Sequence, residues 1–256
     1  MIPFEKSHKT DTNVTQNCHK NDTVSSIPKA QKPWYAQPSP EQVHYVELMD
    51  RLRFQWLGGG GVLGQWLRAQ FGSLRADWAM MCYDVGALPD GRTVFPYVSL
   101  EGFTTDGKVM RYKADGHRCR EGGANVTWLH AMEGQTPCVP LCLFGEELLK
   151  EAPYTPVGLV ESEKTAIVAS LWDDRCLWLA TGGKGNFRAQ TLCVLSGRTV
   201  LLYPDADALG DWMTEAHRLG PELGINFQLP ASYIRRISTP EARNAKWDLA
   251  DMITGA

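Results

Sequence analysis

Three carboxylates are placed where they could do chemistry together. Glu161 directly follows the apolar run Val157-Gly-Leu-Val160, and Asp205 and Asp207 follow a second run, Thr199-Val-Leu-Leu-Tyr203, after one proline. Short apolar runs of this kind predict buried strands of a parallel sheet. Residues just past the carboxyl ends of such strands face one crevice, so Glu161, Asp205 and Asp207 are expected to converge despite their separation in sequence. Carboxylates gathered in one crevice repel each other unless a cation lies among them, and an all-oxygen donor set suits Mg²⁺, with Mn²⁺ the alternative. Asp205 and Asp207 are the expected direct ligands, and Glu161 is either a ligand or a general base. A cation so held neutralises phosphate charge and polarises an attacking oxygen, which makes phosphoryl transfer the expected chemistry.

Other residues are candidates for the same site, each with a plainer alternative. Lys164, one turn into the helix expected after Glu161, could reach a substrate phosphate or be a solvated lysine. The turn Thr181-Gly182-Gly183-Lys184-Gly185 offers backbone N–H groups and one cation to a phosphate, although a glycine-rich turn is often only a tight turn. Asp248 and Asp251 stand at i and i+3 of the last expected helix and share a face, from which either could support a second metal or simply be solvated. Arg235 and Arg236, with Arg243 and Lys246, form the densest basic stretch, a possible contact for a nucleic-acid backbone. Trp247, beside Asp248, is the tryptophan best placed to stack on a base. Cys138 and Cys142 with Cys119, His117 and His130 fit no standard zinc spacing, so no zinc is expected.

These residues need elements to hold them. Residues 1–40 are polar and aperiodic, and read as a disordered tail. Residues 41–150 read as a smaller α+β module. It opens with a helix over 41–57, whose apolar stripe includes Val43, Val46, Leu48, Met49, Leu52 and Phe54, and a short helix over 62–71. From Ala76 to Trp128 come short strands punctuated by turns at Pro89-Asp90-Gly91 and Asp106-Gly107, a pattern of antiparallel meander. From 157 to 256 the rhythm is strand, helix, strand, helix, which predicts an α/β domain with a mostly parallel sheet and covering helices.

Composition narrows the classes. The chain has 256 residues, 43% of them hydrophobic, enough for a full core. Its net charge of −3 excludes a global positive field, so any grip on nucleic acid must come from local basic patches or from metal. Seven cysteines without framework spacing suit reduced thiols. No apolar run is long enough to span a bilayer and no signal-peptide core is visible, so a cytoplasmic location without membrane contact is expected.

The strand ending in Glu161, the turn at Gly182-Gly183 and the strand ending in Asp205-x-Asp207 occur in the order found in Toprim domains, the Rossmann-like metal-binding fold of bacterial primases, topoisomerases and certain nucleases, and residues 157–256 resemble that family. Val160-Glu-Ser-Glu-Lys164 is similar to the opening of type IA topoisomerases, whereas Asp205-x-Asp-x-x-Gly210 resembles the primase form. Nothing resembles the tyrosine-bearing domains of a topoisomerase. Asp248 and Asp251 resemble the acidic element found late in primase Toprim domains. The region from about Arg92 to Ile253, including Asn125-Val-Thr-Trp-Leu-His130 and Phe144-Gly-Glu-Glu-Leu148, also resembles Toprim proteins of bacterial mobile elements. The resemblance implies a Mg²⁺-dependent, primase-like enzyme of DNA replication or transfer, either a nucleotidyltransferase or a phosphodiester nuclease. It implies single-stranded DNA or RNA as partner and a helicase or other replication protein as companion. A non-catalytic module that binds metal and nucleic acid is the alternative. Only Cys18-His19 lies where many primases carry a zinc ribbon, so the resemblance stops short of autonomous primer initiation.

Overall fold

The computed structural model describes residues 34–255 apart from residue 124; most of the expected disordered tail lies outside the described residues. Helix α1 (Pro40–Trp56) starts at a reciprocal cap: Ser39 Oγ accepts from the Gln42 N–H at 3.2 Å, and the Gln42 side chain accepts from the Ser39 N–H at 2.9 Å. Pro40 suits the first turn because no intrahelical N–H is needed there. The helix buries Tyr45, Val46, Leu48, Met49 and Leu52 but leaves Val43 and Phe54 of the expected stripe exposed.

Helix α2 (Gly61–Phe71) is followed at once by α3 (Ser73–Cys82). The residues from Ala76 to Cys82, expected in the strand region, are therefore helical. Ala76, Ala79 and Met80 pack on the core with Leu63 and Leu67, while Trp78 and Met81 face outward, so the run carries apolar residues all round and hides its period.

Four strands then form an antiparallel sheet in the order β1 (Gly86–Ala87), β2 (Thr93–Val98), β3 (Thr104–Met110) and β4 (Val126–Trp128). Its central hairpin turns at Ser99–Gly102, where the Gly102 N–H donates to Ser99 O at 2.8 Å. Asp106-Gly107, expected to be that turn, lies inside β3, with Gly107 opposite Pro96. A Cβ on Gly107 would run into Leu129, at the start of the short helix α4 (Leu129–Met132), so glycine here permits close packing rather than chain reversal. Asp106 is buried, accepts from the Gly107 N–H at 2.7 Å and pairs with His130 Nδ1 at 2.5 Å.

The second sheet is wholly parallel. Strand β5 (Val157–Val160) leads into α5 (Glu163–Trp172), β6 (Leu177–Ala180), α6 (Ala189–Leu192), β7 (Thr199–Tyr203), α7 (Leu209–Leu223) and β8 (Asn226–Gln228). The spatial order is β6-β5-β7-β8. Val157 is level with Leu177 on one side and Val200 on the other, so β5, β6 and β7 end together along one edge of the sheet. Every residue of β5 is buried, as a central strand covered on both faces requires. Three short helices close the chain: α8 (Ala231–Ile237), α9 (Pro240–Ala245) and α10 (Leu249–Thr254).

One buried cluster joins the sheets, with Phe95 and Tyr97 of β2 packed among Phe144, Val160, Trp178 and Ala180. Fully burying such side chains stabilises the fold by roughly 1.5–3 kcal/mol each. A second cluster, with Leu159, Leu202 and Trp212, fills the opposite face. Among the described residues no helix is long and apolar enough to cross a membrane.

Candidate acidic site at the strand ends

The aligned ends of β5 and β7 open on a cavity of about 500 Å³ whose lining includes Glu161, Asp205 and Asp207. Asp248 and Asp251, far along the chain, line it as well. They arrive there because the turn between α9 and α10 is bound to the end of β7: the Ala206 N–H donates to Trp247 O at 2.9 Å, and Lys246 Nζ pairs with Asp207 Oδ2 at 2.9 Å. Lys246 holds a left-handed backbone, with φ of 56°, that turns the chain from one helix into the next. The Tyr233 hydroxyl donates to Pro204 O at 2.8 Å and holds the strand end from the other side.

Asp248 is not on the helix face expected for it. It caps α10, accepting from the Asp251 N–H at 2.9 Å, while Asp251 accepts from the Asp248 N–H at 3.0 Å. A carboxylate cap satisfies the free N–H groups of the first turn, and that role fixed the helix start later than expected. The other Asp248 oxygen accepts from the Thr165 hydroxyl at 2.8 Å, which ties α10 to α5 beside Glu161.

Charge and burial oppose each other at this site. The Asp205 carboxyl is pushed up to about 8, first by burial and then by the neighbouring carboxylates of Glu161, Asp248 and Asp207. Glu161 is also raised, by burial and then by Asp207, with Arg118 and the Lys184 N–H acting in the other direction. Burial and Asp248 raise Asp251. Among the described residues four buried carboxylate oxygens have no hydrogen-bond donor, on Glu147, Glu161, Glu163 and Asp205, and two of them, Glu161 Oε2 and Asp205 Oδ1, belong to this site. Leaving such acceptors unmet costs about 1–3 kcal/mol each, which a bound cation would offset. The all-oxygen donor set fits a hard divalent cation. Among the described residues no three His, Cys, Asp or Glu side chains close on a common point. Mg²⁺ keeps several waters and takes only one or two carboxylates, so it needs no closed cage.

Beneath the cavity lies a charge pair that the sequence did not reveal. Glu163, fully buried on the first turn of α5, accepts at Oε1 from Lys108 Nζ at 3.0 Å and from the Tyr97 hydroxyl. Lys108 Nζ also donates to Gly182 O at 2.7 Å. A Cβ on Gly182, at φ of 75°, would fall on the Tyr97 hydroxyl, so this position requires glycine both for its conformation and for the approach of β2. The antiparallel sheet thus holds the turn whose Lys184 N–H acts on Glu161.

The remaining candidates divide. Lys164 lines the cavity, with Nζ donating to Gly116 O at 3.3 Å and lying 5.6 Å from the Trp66 ring centre. Gly182, Gly183 and Lys184 do not line it; Lys184 Nζ pairs with Asp211 at 2.6 Å. Arg235 and Arg236 are exposed on the last turn of α8, away from the cavity lining. Trp247 lines the cavity, as do Tyr112, Arg118 and Arg120 of the loop after β3, which the sequence did not mark, and His117, which it offered only for zinc. Their run of turn-forming and charged residues gives no local signal, because its place at the site depends on how the two sheets pack.

A family model described as a domain of unknown function, DUF6371, matches residues 62–206, more than half of the chain. The chain belongs to the DUF6371 family. The DUF6371 match takes in both sheets as far as β7, with Glu161 and Asp205, whereas Asp207, Trp247, Asp248 and Asp251 lie beyond it. Comparison with curated proteins finds no match. Among solved structures, the DUF6371 chain is similar to a DnaG primase catalytic domain bound to ssDNA, at 11% identity over 80% of this chain and 81% of that one, with a TM-score of 0.47. It is similar to the RNA polymerase domain of Mycobacterium tuberculosis primase DnaG, at 12% identity over 80% and 82%, with a TM-score of 0.46. It is also similar to the primase fragment of the bacteriophage T7 primase-helicase protein, at 14% identity over 66% and 69%, with a TM-score of 0.40.

Proposed function

We propose that this DUF6371 chain is a Mg²⁺-dependent, primase-like enzyme of nucleic-acid phosphodiester chemistry, with the cavity at the ends of β5 and β7 as its active site. The observation that carries the reading is the meeting of Glu161, Asp205 and Asp207 with Asp248 and Asp251 around one cavity that contains unmet buried carboxylate oxygens. In this reading residues 157–256 form a Toprim-like catalytic part and residues 41–150 a supporting module.

Asp205 and Asp207 hold the cation, Mg²⁺ or Mn²⁺, while Glu161 is a further ligand or accepts the proton of the attacking hydroxyl. When bound, the cation neutralises phosphate charge and polarises the attacking oxygen. Asp248 and Asp251 complete the acidic wall, where a second ion would be held. Lys164 is fixed by Gly116 and Trp66 at the cavity wall, where its charge faces incoming phosphate. The exposed pair Arg235 and Arg236 contacts the nucleic-acid backbone outside the cavity. The Gly182–Lys184 turn positions Glu161 rather than cradling phosphate, since Lys184 is engaged by Asp211. Single-stranded DNA or RNA is the partner, the setting is replication or transfer of a mobile element in the cytoplasm, and a helicase is a fitting companion.

One observation favours the second reading, a metal- and nucleic-acid-binding module without catalysis: both Asp248 oxygens are committed to the cap and to Thr165. The test is incorporation of labelled ribonucleotides on a single-stranded DNA template, run beside cleavage of an end-labelled oligonucleotide, with Mg²⁺, with Mn²⁺ and with EDTA. Metal-dependent incorporation or cleavage that disappears in Asp205→Asn supports the enzyme. Binding without either product supports the module.

A further inference from the structure

The acidic cavity has a basic wall. Arg118 and Arg120 line it from the loop after β3, and among the described residues neither guanidinium makes an ion pair or side-chain hydrogen bond, although five carboxylates line the same space. Acid and guanidinium groups that stay apart across a cavity leave room between them for something that satisfies both. Arg118 is near enough to act on both Glu161 and Asp205, drawing their carboxyls down against the effect of burial.

The loop that carries the arginines is built onto the site. The Lys113 N–H donates to His117 O at 2.8 Å, the Cys119 N–H donates to Arg111 O at 2.9 Å, and Tyr112 forms a bridge with Arg118. Tyr112 is buried with its ring edge-on to Phe95, 6.2 Å between centres. Gly116 sits so close to Trp66 that a Cβ would overlap the indole, and its carbonyl accepts from Lys164. Arg118 therefore approaches the acids from a fixed backbone, and Arg120, two residues on, lines the same cavity. Planar guanidinium groups match phosphate oxygens with paired hydrogen bonds, which a lysine ammonium cannot reproduce.

We propose that Arg118 and Arg120 form a phosphate-binding subsite that holds a nucleotide phosphate across the cavity from the carboxylates. This rests on the reading of the cavity as a nucleotide-processing site and names the residues that seat its substrate. Two sources share that chemistry, the triphosphate of a free nucleotide and the phosphodiesters of a strand, and Trp247 on the same lining gives either one a base-stacking surface.

The experiment measures binding of ATP and of a ten-residue oligothymidylate with a 5′-hydroxyl, each with Mg²⁺ and with EDTA, to the wild-type chain, Arg118→Ala/Arg120→Ala and Arg118→Lys/Arg120→Lys. The alanine variant is expected to lose roughly tenfold or more in affinity per arginine for at least one probe, in Mg²⁺ and in EDTA, with the lysine variant between it and wild type. Loss for ATP alone assigns the subsite to terminal phosphates, and loss for the oligonucleotide assigns it to the strand. Both arginines are exposed, so the melting temperature and its response to Mg²⁺ are expected to stay at the wild-type values. Wild-type affinity of the alanine variant for both probes, or absence of binding of either probe to wild type, overturns the proposal. A wild-type chain whose melting ignores Mg²⁺ while the arginine effect persists overturns the metal reading instead.

Discussion

At the scale of single residues, the site is a conflict between burial and charge. Asp205 has its carboxyl raised to about 8 and one buried oxygen unmet, a state that clusters at functional sites and that the proposed cation would relieve. Glu163, also with one buried oxygen unmet, differs in that its other oxygen is held by a lysine and a tyrosine. Removing one member of a buried pair leaves the other uncompensated, so Lys108→Met is expected to cost about 3–5 kcal/mol, measured by urea denaturation. Lys108→Met combined with Glu163→Leu is expected to recover part of that loss, and additive losses would show that the two side chains do not act as a pair. Asp205 and Asp207 could be recognised in the sequence because an apolar run leads up to them. Glu163 could not, since its partner lies on a different sheet more than fifty residues earlier.

Among elements, the parallel half was the most legible. Strand and helix alternation from Val157 gave β5, α5, β6, β7 and α7, and with them the common edge that places Glu161 and Asp205. Period reasoning failed where a helix is apolar all round, as in α3, and where a polar pair sits inside a buried strand, as Asp106-Gly107 does in β3. The helices α8 and α9 were not expected at all, being only seven and six residues long. The 3₁₀ segment Glu146–Lys150 provides a prediction at this scale. Burial raises the Glu146 carboxyl to about 7 and the Glu147 carboxyl to about 8; Asp84 and Glu146 push Glu147 further up and Arg53 pulls it down. A carboxyl raised in the folded state binds its proton more tightly there than in the unfolded chain. Its contribution to stability is complete below the unfolded value near 4.5 and is lost as pH rises through about 7 to 8. Without divalent metal, the melting temperature is therefore expected to fall between about pH 4.5 and 8, and Glu147→Gln should flatten the upper part of that fall. An unchanged slope in the variant would remove Glu147 from the account.

Over the whole molecule, a net charge of −3 would leave any attraction of nucleic acid to local groups, in our proposal Arg118, Arg120 and Lys164 at the cavity and Arg235 and Arg236 outside it. Counterion release makes each phosphate contact visible as a salt slope. Arg235→Ala/Arg236→Ala is expected to weaken single-stranded DNA binding and to lower the slope of log affinity against log salt by up to about 1.4, roughly 0.7 per contact on a single strand. An unchanged slope would show that α8 does not touch the strand. The cavity itself depends on both sheets, because the loop after β3 brings its cations to carboxylates set at the ends of β5 and β7. Its acidic half was legible in sequence and its basic half was not, since nothing local in residues 112–120 marks the packing that carries them there. The central claim, that these carboxylates hold a divalent cation, is tested most directly by titrating the metal-free chain with Mn²⁺ and reading free Mn²⁺ by electron paramagnetic resonance. The wild type is expected to remove Mn²⁺ from solution saturably and to release it to excess Mg²⁺, while Asp205→Asn/Asp207→Asn, still folded by circular dichroism, does not. Equal Mn²⁺ uptake by the two proteins, or none by the wild type, would contradict the account.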